Sequence, residues 1–166
     1  MRRIGLLSDT HGYVHPDIPR IFGGVDEIWH AGDFGSLEVA DKLRDIKPLR
    51  GVYGNIDGQD IRQVFPRQLR FRCGEMDVLM THIGGYPGNY PPACRALLQP
   101  EPPGLFICGH SHILKVQYDT RYRLLHINPG AAGRSGFHRV ITLVRFVIDR
   151  ARISDLEVVE FPRSGR

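Results

Sequence analysis

The chain has 166 residues, of which 42% are hydrophobic, and its formal net charge is +4. This length fits one compact domain over residues 1–166, and two independent domains would be hard to accommodate. No apolar run is long enough to span a bilayer or to serve as a secretory signal, so we expect a cytoplasmic protein that does not enter a membrane. The positive charge is scattered, which argues against a dedicated nucleic-acid surface.

Two short apolar runs begin the chain, at residues 3–8 and 27–31, and each is followed by a glycine-containing loop. Both patterns predict buried strands. Ser36 is placed to cap a helix whose apolar positions share one face, and residues 49–53 form a further strand. Strand, helix and strand in this order indicate a parallel crossover unit.

The second half of the chain has a different pattern. Alternating residues 68–72 and the run 78–80 predict two strands, and 91–98 predicts a short helix. Strands then follow one another closely, at 113–118, 122–127, 140–148 and 153–161. Crossovers followed by meanders indicate an α/β fold in which a two-sheet β-sandwich is flanked by helices, a four-layer arrangement.

The chain has three cysteines, Cys73, Cys94 and Cys108, which lie far apart and form no C-x-x-C pair. An odd number at such spacing argues against both a disulfide framework and a thiolate zinc site. We expect all three to be reduced, buried thiols.

Residues that can bind metals recur directly after the predicted strands. In chain order they are Asp9-x-His11, Gly32-Asp33, Gly54-Asn55, Thr81-His82 and Gly109-His110-Ser111-His112. The carboxyl ends of strands are where open α/β sheets build their sites, and glycines allow the sharp turns that direct such side chains into one crevice. Carboxylate, imidazole and amide ligands without a thiolate suit Mn²⁺, Ni²⁺, Zn²⁺ or Fe.

In order and spacing these motifs resemble the calcineurin-like metallophosphoesterase superfamily, and within it the small single-domain phosphodiesterases. The similarity runs from Ile4 to about Gly130 and ends at an Asn-Pro-Gly turn. It implies two adjacent divalent ions, Mn²⁺ above all, with Mg²⁺ also suitable. The implied ligands are Asp9, His11 and His112 for one ion, Asn55, His82 and His110 for the other, and Asp33 as the bridge.

The same resemblance implies a hydrolase that cleaves small phosphodiesters by attack of a hydroxide bridging the two ions. Asp33, Asn55 and His82 are the ligands expected to take the most direct catalytic part. Many relatives carry a histidine directly after the asparagine, but this chain has Ile56, which cannot donate a proton to a leaving group. We therefore expect a preference for acidic leaving groups, such as those of aryl diesters.

Further residues lie close to these motifs in the sequence. Asp57 either orients a ligand or water or stabilises an ordinary turn. Arg134 and His138, in the glycine-rich loop after residue 130, are within reach of a substrate phosphate if that loop folds over the crevice, although a mobile surface loop is the simpler expectation. Tyr86 and Tyr90 are candidates for stacking on a base or aryl group, and His30 and His126 are expected to be packed strand residues.

Three alternatives stay open at this stage. One is a phosphomonoesterase or nucleotide phosphatase of the same chemistry, and another is a nuclease, which would require a basic groove. The third is a protein-interaction scaffold, because a eukaryotic coat subunit with this fold acts in that way. A complete set of seven ligating side chains favours an enzyme over a scaffold. The sequence is also compatible with a homo-oligomer.

Overall fold

The computed structural model describes residues 1–163, so the last three residues of the expected domain lie outside the described part. Its elements along the chain are β1 (Arg2–Leu7), α1 (Ile18–Ile21), β2 (Glu27–His30), α2 (Leu37–Ile46), β3 (Leu49–Gly51), α3 (Gln59–Arg62), β4 (Gln68–Cys73), β5 (Met76–Thr81), α4 (Pro92–Leu98), β6 (Leu105–Ile107), β7 (Leu114–Asp119), β8 (Leu124–Pro129), β9 (Val140–Asp149) and β10 (Arg152–Pro162). Within this part of the chain, no helix combines the length and the hydropathy that a membrane span requires.

The strands form two five-stranded sheets. The first has the spatial order β10-β9-β1-β2-β3, and the second has the order β4-β5-β6-β8-β7. In the first sheet β1, β2 and β3 are parallel, with Ile4 opposite Glu27 and Ile28 opposite Leu49. In the second sheet β5, β6 and β8 are parallel, and the remaining pairs in both sheets are antiparallel.

Three apolar clusters show how the layers are stacked. The first lies between the two sheets and includes Leu6 and Trp29 from the first sheet and Met80 and Ile107 from the second. A second cluster packs the outer face of the first sheet against α1, α2 and α3, and a third packs the outer face of the second sheet against α4. Burying both faces of each sheet produces the expected four layers, helix, sheet, sheet and helix.

The expected crossover is present, with two local differences. Helix α2 buries Val39, Ala40 and Leu43 as its periodicity predicts, but the Ser36 side chain at its N-cap position makes no capping hydrogen bond. Strand β3 ends at Gly51, two residues earlier than predicted. The Val52 amide still donates to the carbonyl of His30 in β2, but the Tyr53 amide donates to the carbonyl of Pro66, so the chain leaves the sheet at this point.

The carboxyl ends of the parallel strands converge on one edge of the sandwich. The segments that follow β1, β2 and β3 meet there with the segments that follow β5 and β6. The Asp9 amide donates to the carbonyl of Gly32, and the Gly109 amide donates to the carbonyl of His82. This arrangement brings all five sequence motifs to a single crevice between the sheets.

Candidate metal centre

The structure brings together all seven side chains that the motifs single out. Two groups of nitrogen and oxygen atoms are close enough to share a cation: Asp9, His11 and His112 form one group, and Asp33, His82 and His110 form the other. Asn55 joins the second group, because its Oδ1 lies 3.0 Å from Nδ1 of His110. The grouping matches the division into two sites that the resemblance implies.

Asp9 is anchored through one carboxylate oxygen and leaves the other one unpaired. Its Oδ2 accepts hydrogen bonds from the Ser8 hydroxyl at 2.5 Å and from the His110 amide at 3.0 Å. Its Oδ1 is buried, has no hydrogen-bond partner among the described residues and lies 3.2 Å from Nε2 of His112. The fixed oxygen therefore orients the free one toward the ring nitrogens of the histidines.

Asp33 has a similar division between its two oxygens. The Ile56 amide donates to Oδ1 at 3.1 Å, while Oδ2 lies 3.2 Å from Nε2 of His82 and 3.4 Å from Nε2 of His11. Because His11 belongs to one group and His82 to the other, this oxygen lies between the two groups. That is the position expected of a bridging ligand.

His82 is held in one tautomer by the backbone. Its Nδ1 lies 2.7 Å from the carbonyl oxygen of Ala31, which can only accept, so Nδ1 carries the proton. Its Nε2 then presents a lone pair to the crevice, where it is buried without a hydrogen-bond partner, as is Nε2 of His11. Bare imidazole nitrogens that face bare carboxylate oxygens form an arrangement that fits a cation.

The electrostatics of the crevice support the same conclusion. Burial alone would raise the pKa of Asp9, but His11, His112 and the charge of His82 lower that pKa well below its usual range. The Asp9 carboxylate raises the pKa of His11 against the effect of burial. Burial also opposes protonation of His82, yet Asp33 and Asp9 raise its pKa. The carboxylates thus attract protons to these rings, and a metal ion competes for the same positions.

Five of the seven side chains belong to residues with left-handed backbone conformations. Asp9, His11, Asp33, His110 and His112 have φ values of 54°, 45°, 60°, 71° and 63°. For residues other than glycine, such conformations cost on the order of 1–3 kcal/mol each, and they cluster at functional sites. The tertiary structure therefore maintains strain at the residues that would hold ions.

Two glycines allow the loops to approach one another closely. A Cβ atom at Gly54 would overlap Oδ1 of Asp33, and one at Gly109 would overlap Oγ of Ser8 and crowd Oδ2 of Asp9. Any side chain at either position would displace the anchored carboxylates. Glycine is required here for space rather than for backbone freedom, because neither residue has a positive φ.

Asp57 connects two of the ligand loops. Its carboxylate accepts hydrogen bonds from the amides of Phe34, Gly35 and Gly54 at distances of 3.2, 2.9 and 2.8 Å. It thereby holds the segment after Asp33 against the segment that carries Asn55. Asp57 therefore stabilises a turn and holds together the segments beside two candidate ligands.

Arg134 and the two tyrosines have three different surroundings. The Arg134 guanidinium stacks on the ring of Tyr13 at 4.1 Å. Tyr90 is buried, and its hydroxyl donates to Asp119 at 2.7 Å, so the prediction that it lies on an exposed rim is wrong. Tyr86 is exposed, with the Lys115 ammonium 5.3 Å from its ring centroid.

His138 contacts a candidate ligand, which the sequence did not indicate. Its Nε2 lies 2.7 Å from the Gly133 carbonyl and therefore carries a proton, which leaves Nδ1 as an acceptor. That Nδ1 is 3.3 Å from Nδ1 of His112, so His112 donates through Nδ1 and its Nε2 faces Asp9. Gly136 has no side chain to obstruct this contact. A histidine in the loop after the Asn-Pro-Gly turn was the only signal in the sequence.

The other histidines and the cysteines are packing residues. His30 stacks on Phe34 at 3.7 Å, and burial lowers its pKa to about 3. His126 is also fully buried, and burial lowers its pKa to about 4. All three cysteines are free and buried, and burial raises the pKa of Cys94 to about 12. The thiols are therefore poor nucleophiles and poor metal ligands near neutral pH.

A cavity of about 460 Å³ opens beside the second group of candidate ligands. Asn55 and His82 form one side of it, and residues from α3, β4 and α4 surround the remainder. The volume lies within the range of small-molecule sites, about 300–1,000 Å³. A substrate with its phosphorus atom near Asn55 and His82 has space for an organic group in this direction.

Comparisons with known proteins agree with this geometry. The model of the calcineurin-like phosphoesterase superfamily domain matches residues 1–151. A probable metallophosphoesterase of Methanocaldococcus jannaschii is 31% identical over 134 residues, which are 77% of this chain and 67% of the relative.

Two solved structures show the same fold. An archaeal phosphodiesterase superimposes with a TM-score of 0.71 at 20% identity, covering 95% of this chain and 99% of its own. Vps29 of Entamoeba histolytica complexed with Zn²⁺ superimposes with a TM-score of 0.69 at 17% identity, covering 98% of this chain and 99% of its own. At such identities the likeness is one of fold. Together with the family match over residues 1–151, the paired ligand groups lead to one conclusion: the chain belongs to the calcineurin-like phosphoesterase superfamily.

Proposed function

We propose that this chain is a phosphodiesterase that acts with two divalent metal ions on small phosphate esters. The observation that supports it most is the pair of ligand groups. Their inward atoms, Asp9 Oδ1 and the Nε2 atoms of His11 and His82, are buried and have no hydrogen-bond partner within residues 1–163. When bound, a pair of divalent ions supplies a hydroxide nucleophile at neutral pH and stabilises charge on the phosphoryl oxygens.

We assign the proposed ligands to the two ions as follows. Asp9, His11 and His112 would hold one ion, and Asn55, His82 and His110 would hold the other. Asp33 would contact both through the oxygen that lies between the two groups. The backbone carbonyl of Ala31 holds a proton on Nδ1 of His82, so Nε2 is the nitrogen that can bind an ion.

The charge of the ligand set suits an anionic substrate. Asp9 and Asp33 are the only anionic members, so two divalent cations leave a formal excess of about two positive charges, by simple addition over the proposed ligands. A neutral amide at Asn55 preserves that excess, which attracts a phosphate ester. Mn²⁺ is the metal we propose, while the Zn²⁺ in the Entamoeba Vps29 structure makes zinc the first alternative to test.

A preference for diesters with acidic leaving groups is supported by the residue that follows Asn55. Ile56 is about half exposed beside the crevice, 47%, and has no proton to donate. Its backbone amide binds Asp33, so the segment holds the ligand loop without supplying a general acid. Good leaving groups need no proton, whereas alkyl monoesters do.

The test is an activity screen of metal-stripped protein reconstituted with Mn²⁺, Zn²⁺, Ni²⁺ or Mg²⁺. Substrates are an aryl diester, an aryl monoester and a cyclic nucleotide, and we expect the aryl diester with Mn²⁺ to be hydrolysed fastest. His82→Ala and Asn55→Ala should abolish turnover and leave the far-ultraviolet circular dichroism spectrum unchanged. His15→Ala is the matched control, because His15 stacks on Phe161 and is not a proposed ligand.

Two results would contradict the proposal. Metal-loaded protein without activity on any of the esters would favour the scaffold alternative. Faster hydrolysis of the monoester than of the diester would favour the phosphatase alternative.

A further inference from the structure

The cavity beside the metal centre contains two arginines. Arg62 and Arg67 line it together with Asn55 and His82, and none of the residues that line it is acidic. Elsewhere several arginines are paired with carboxylates, such as Arg50 with Glu27 and Arg70 with Asp77. Among the described residues, Arg62 and Arg67 form no salt bridge, so the cavity has positive charge that is not neutralised within the fold.

Arg62 is held in place although it has no acidic partner. Its Nε donates to the carbonyl of Asp57 at 2.7 Å, and its guanidinium lies 4.5 Å from the ring centroid of Tyr53. These contacts orient the guanidinium and leave further N–H groups available. A guanidinium fixed in this way loses little conformational entropy when it binds a carboxylate or a phosphate, which matches its planar set of donors.

The cavity is larger than a phosphoryl group requires, and part of its wall is apolar. Ala93 and Leu97 from α4 line it, as does Tyr53. An organic group can therefore pack against this wall while its polar end reaches the arginines. Asn55 and His82 open toward the same space, so one molecule can contact both the metal centre and the cavity.

We propose that this cavity binds the organic part of the substrate, and that Arg62 and Arg67 recognise a second anionic group on it, either a phosphate or a carboxylate. This inference rests on the proposed function and specifies its substrate class. The preferred substrates are small phosphodiesters with an additional negative charge on the organic group.

The test compares three chromogenic diesters that share a nitrophenolate leaving group. One is the p-nitrophenyl ester of thymidine 5′-phosphate, the second carries an added 3′-phosphate, and the third carries a 3′-carboxymethyl group. We expect the Mn²⁺-loaded enzyme to prefer the substituted esters at least tenfold in kcat/KM, mainly through KM. The stronger of the two responses identifies the anionic group.

Two variants separate local recognition from net charge. Arg67→Gln should reduce the preference below threefold. Arg152→Gln removes the same charge from β10, the edge strand of the first sheet on the side opposite to β3. This variant should leave the preference at its wild-type value. An equal loss in both variants would overturn the inference, because the effect would then reflect long-range charge.

The experiment also distinguishes failure of the inference from failure of the proposed function. Hydrolysis of the unsubstituted ester without any preference overturns the inference alone. If no ester is hydrolysed, the proposed function fails. The preference for an added anionic group is then measured by calorimetry, as the ratio of the Kd values for thymidine 5′-monophosphate and thymidine 3′,5′-bisphosphate. A Kd ratio near one overturns the inference in that case too.

Discussion

Replacing His138 with alanine is expected to weaken divalent-metal binding by about 10- to 100-fold, the usual effect of losing a residue that orients a metal-binding histidine. The reason is a chain of two hydrogen bonds, from His112 to His138 at 3.3 Å and from His138 to the Gly133 carbonyl at 2.7 Å. Without it, the His112 ring is free to rotate and to protonate Nε2, the atom that faces Asp9. The expected loss corresponds to about 1.4–2.7 kcal/mol of binding free energy.

Two measurements check this prediction. Isothermal titration of metal-stripped protein with Mn²⁺ and Zn²⁺ gives the affinity directly. Nitrogen-15 NMR of the Zn²⁺-loaded protein follows the Nδ1 proton of His112, and we expect this proton to exchange with solvent faster in the His138→Ala variant than in the wild type. Neither measurement depends on turnover.

The controls test whether the hydrogen bond itself is responsible. His138→Asn keeps an amide oxygen near the position of Nδ1, so it should recover part of the affinity. His15→Ala removes an imidazole that stacks on Phe161 and is not a proposed ligand, and it should have no effect. The reasoning is refuted if His138→Ala binds metal as tightly as the wild type, or if the Nδ1 proton of His112 exchanges equally fast in both proteins.

Three further predictions concern the stability and the selectivity of the protein. His126 is buried and neutral, and burial lowers its pKa from 6.5 to about 4. Between these pH values the unfolded chain binds more protons than the folded protein. The folded protein therefore loses stability as the pH falls through this range. Between pH 7 and pH 5, the free energy of unfolding measured with urea should fall by about 2 kcal/mol less in His126→Gln than in the wild type. An equal fall in both proteins would contradict the assignment. Asp57→Ala leaves three backbone amides without their acceptor and should lower the free energy of unfolding by about 2–4 kcal/mol. The effect of Asp57→Asn should be smaller. Equal values for the two variants would show that the hydrogen bonds are not the cause. Ile56→His places a proton donor beside the crevice and should raise the hydrolysis rate of phenyl phosphate at least about tenfold. The hydrolysis rate of an aryl diester should change much less. An equal change in both rates would argue that residue 56 does not protonate the leaving group.

Most of the fold could be predicted from hydrophobic pattern. The buried strands, helix α2 and the change from crossovers to meanders follow from periodicity, which is a local property of the sequence. The four-residue helices α1 and α3 are too short to show a period, so they were not predicted. The early end of β3 also escaped prediction, because a contact of the Tyr53 amide with a distant carbonyl ends that strand.

The seven proposed ligands could be identified from sequence because each follows a strand and a turn-forming residue in a recognisable order. What each side chain does beyond that depends on contacts between segments far apart in the chain. Asp57 holds two loops together, Tyr90 is turned inward by Asp119, and His138 reaches His112 across the crevice. No local pattern encodes these partners.

The sequence by itself therefore determined which residues have metal-binding chemistry and which segments form strands, since both depend on residue type and spacing. Only the tertiary structure decided which oxygen of Asp9 is free, which nitrogen of His82 carries the proton, and which arginines lie beside the site without an acid to neutralise them. The physical reason is that hydrogen bonds and charges act over a few ångströms in space, and the partners here lie far apart along the chain, by 51 positions for His82 and Ala31 and by 101 for His110 and Asp9.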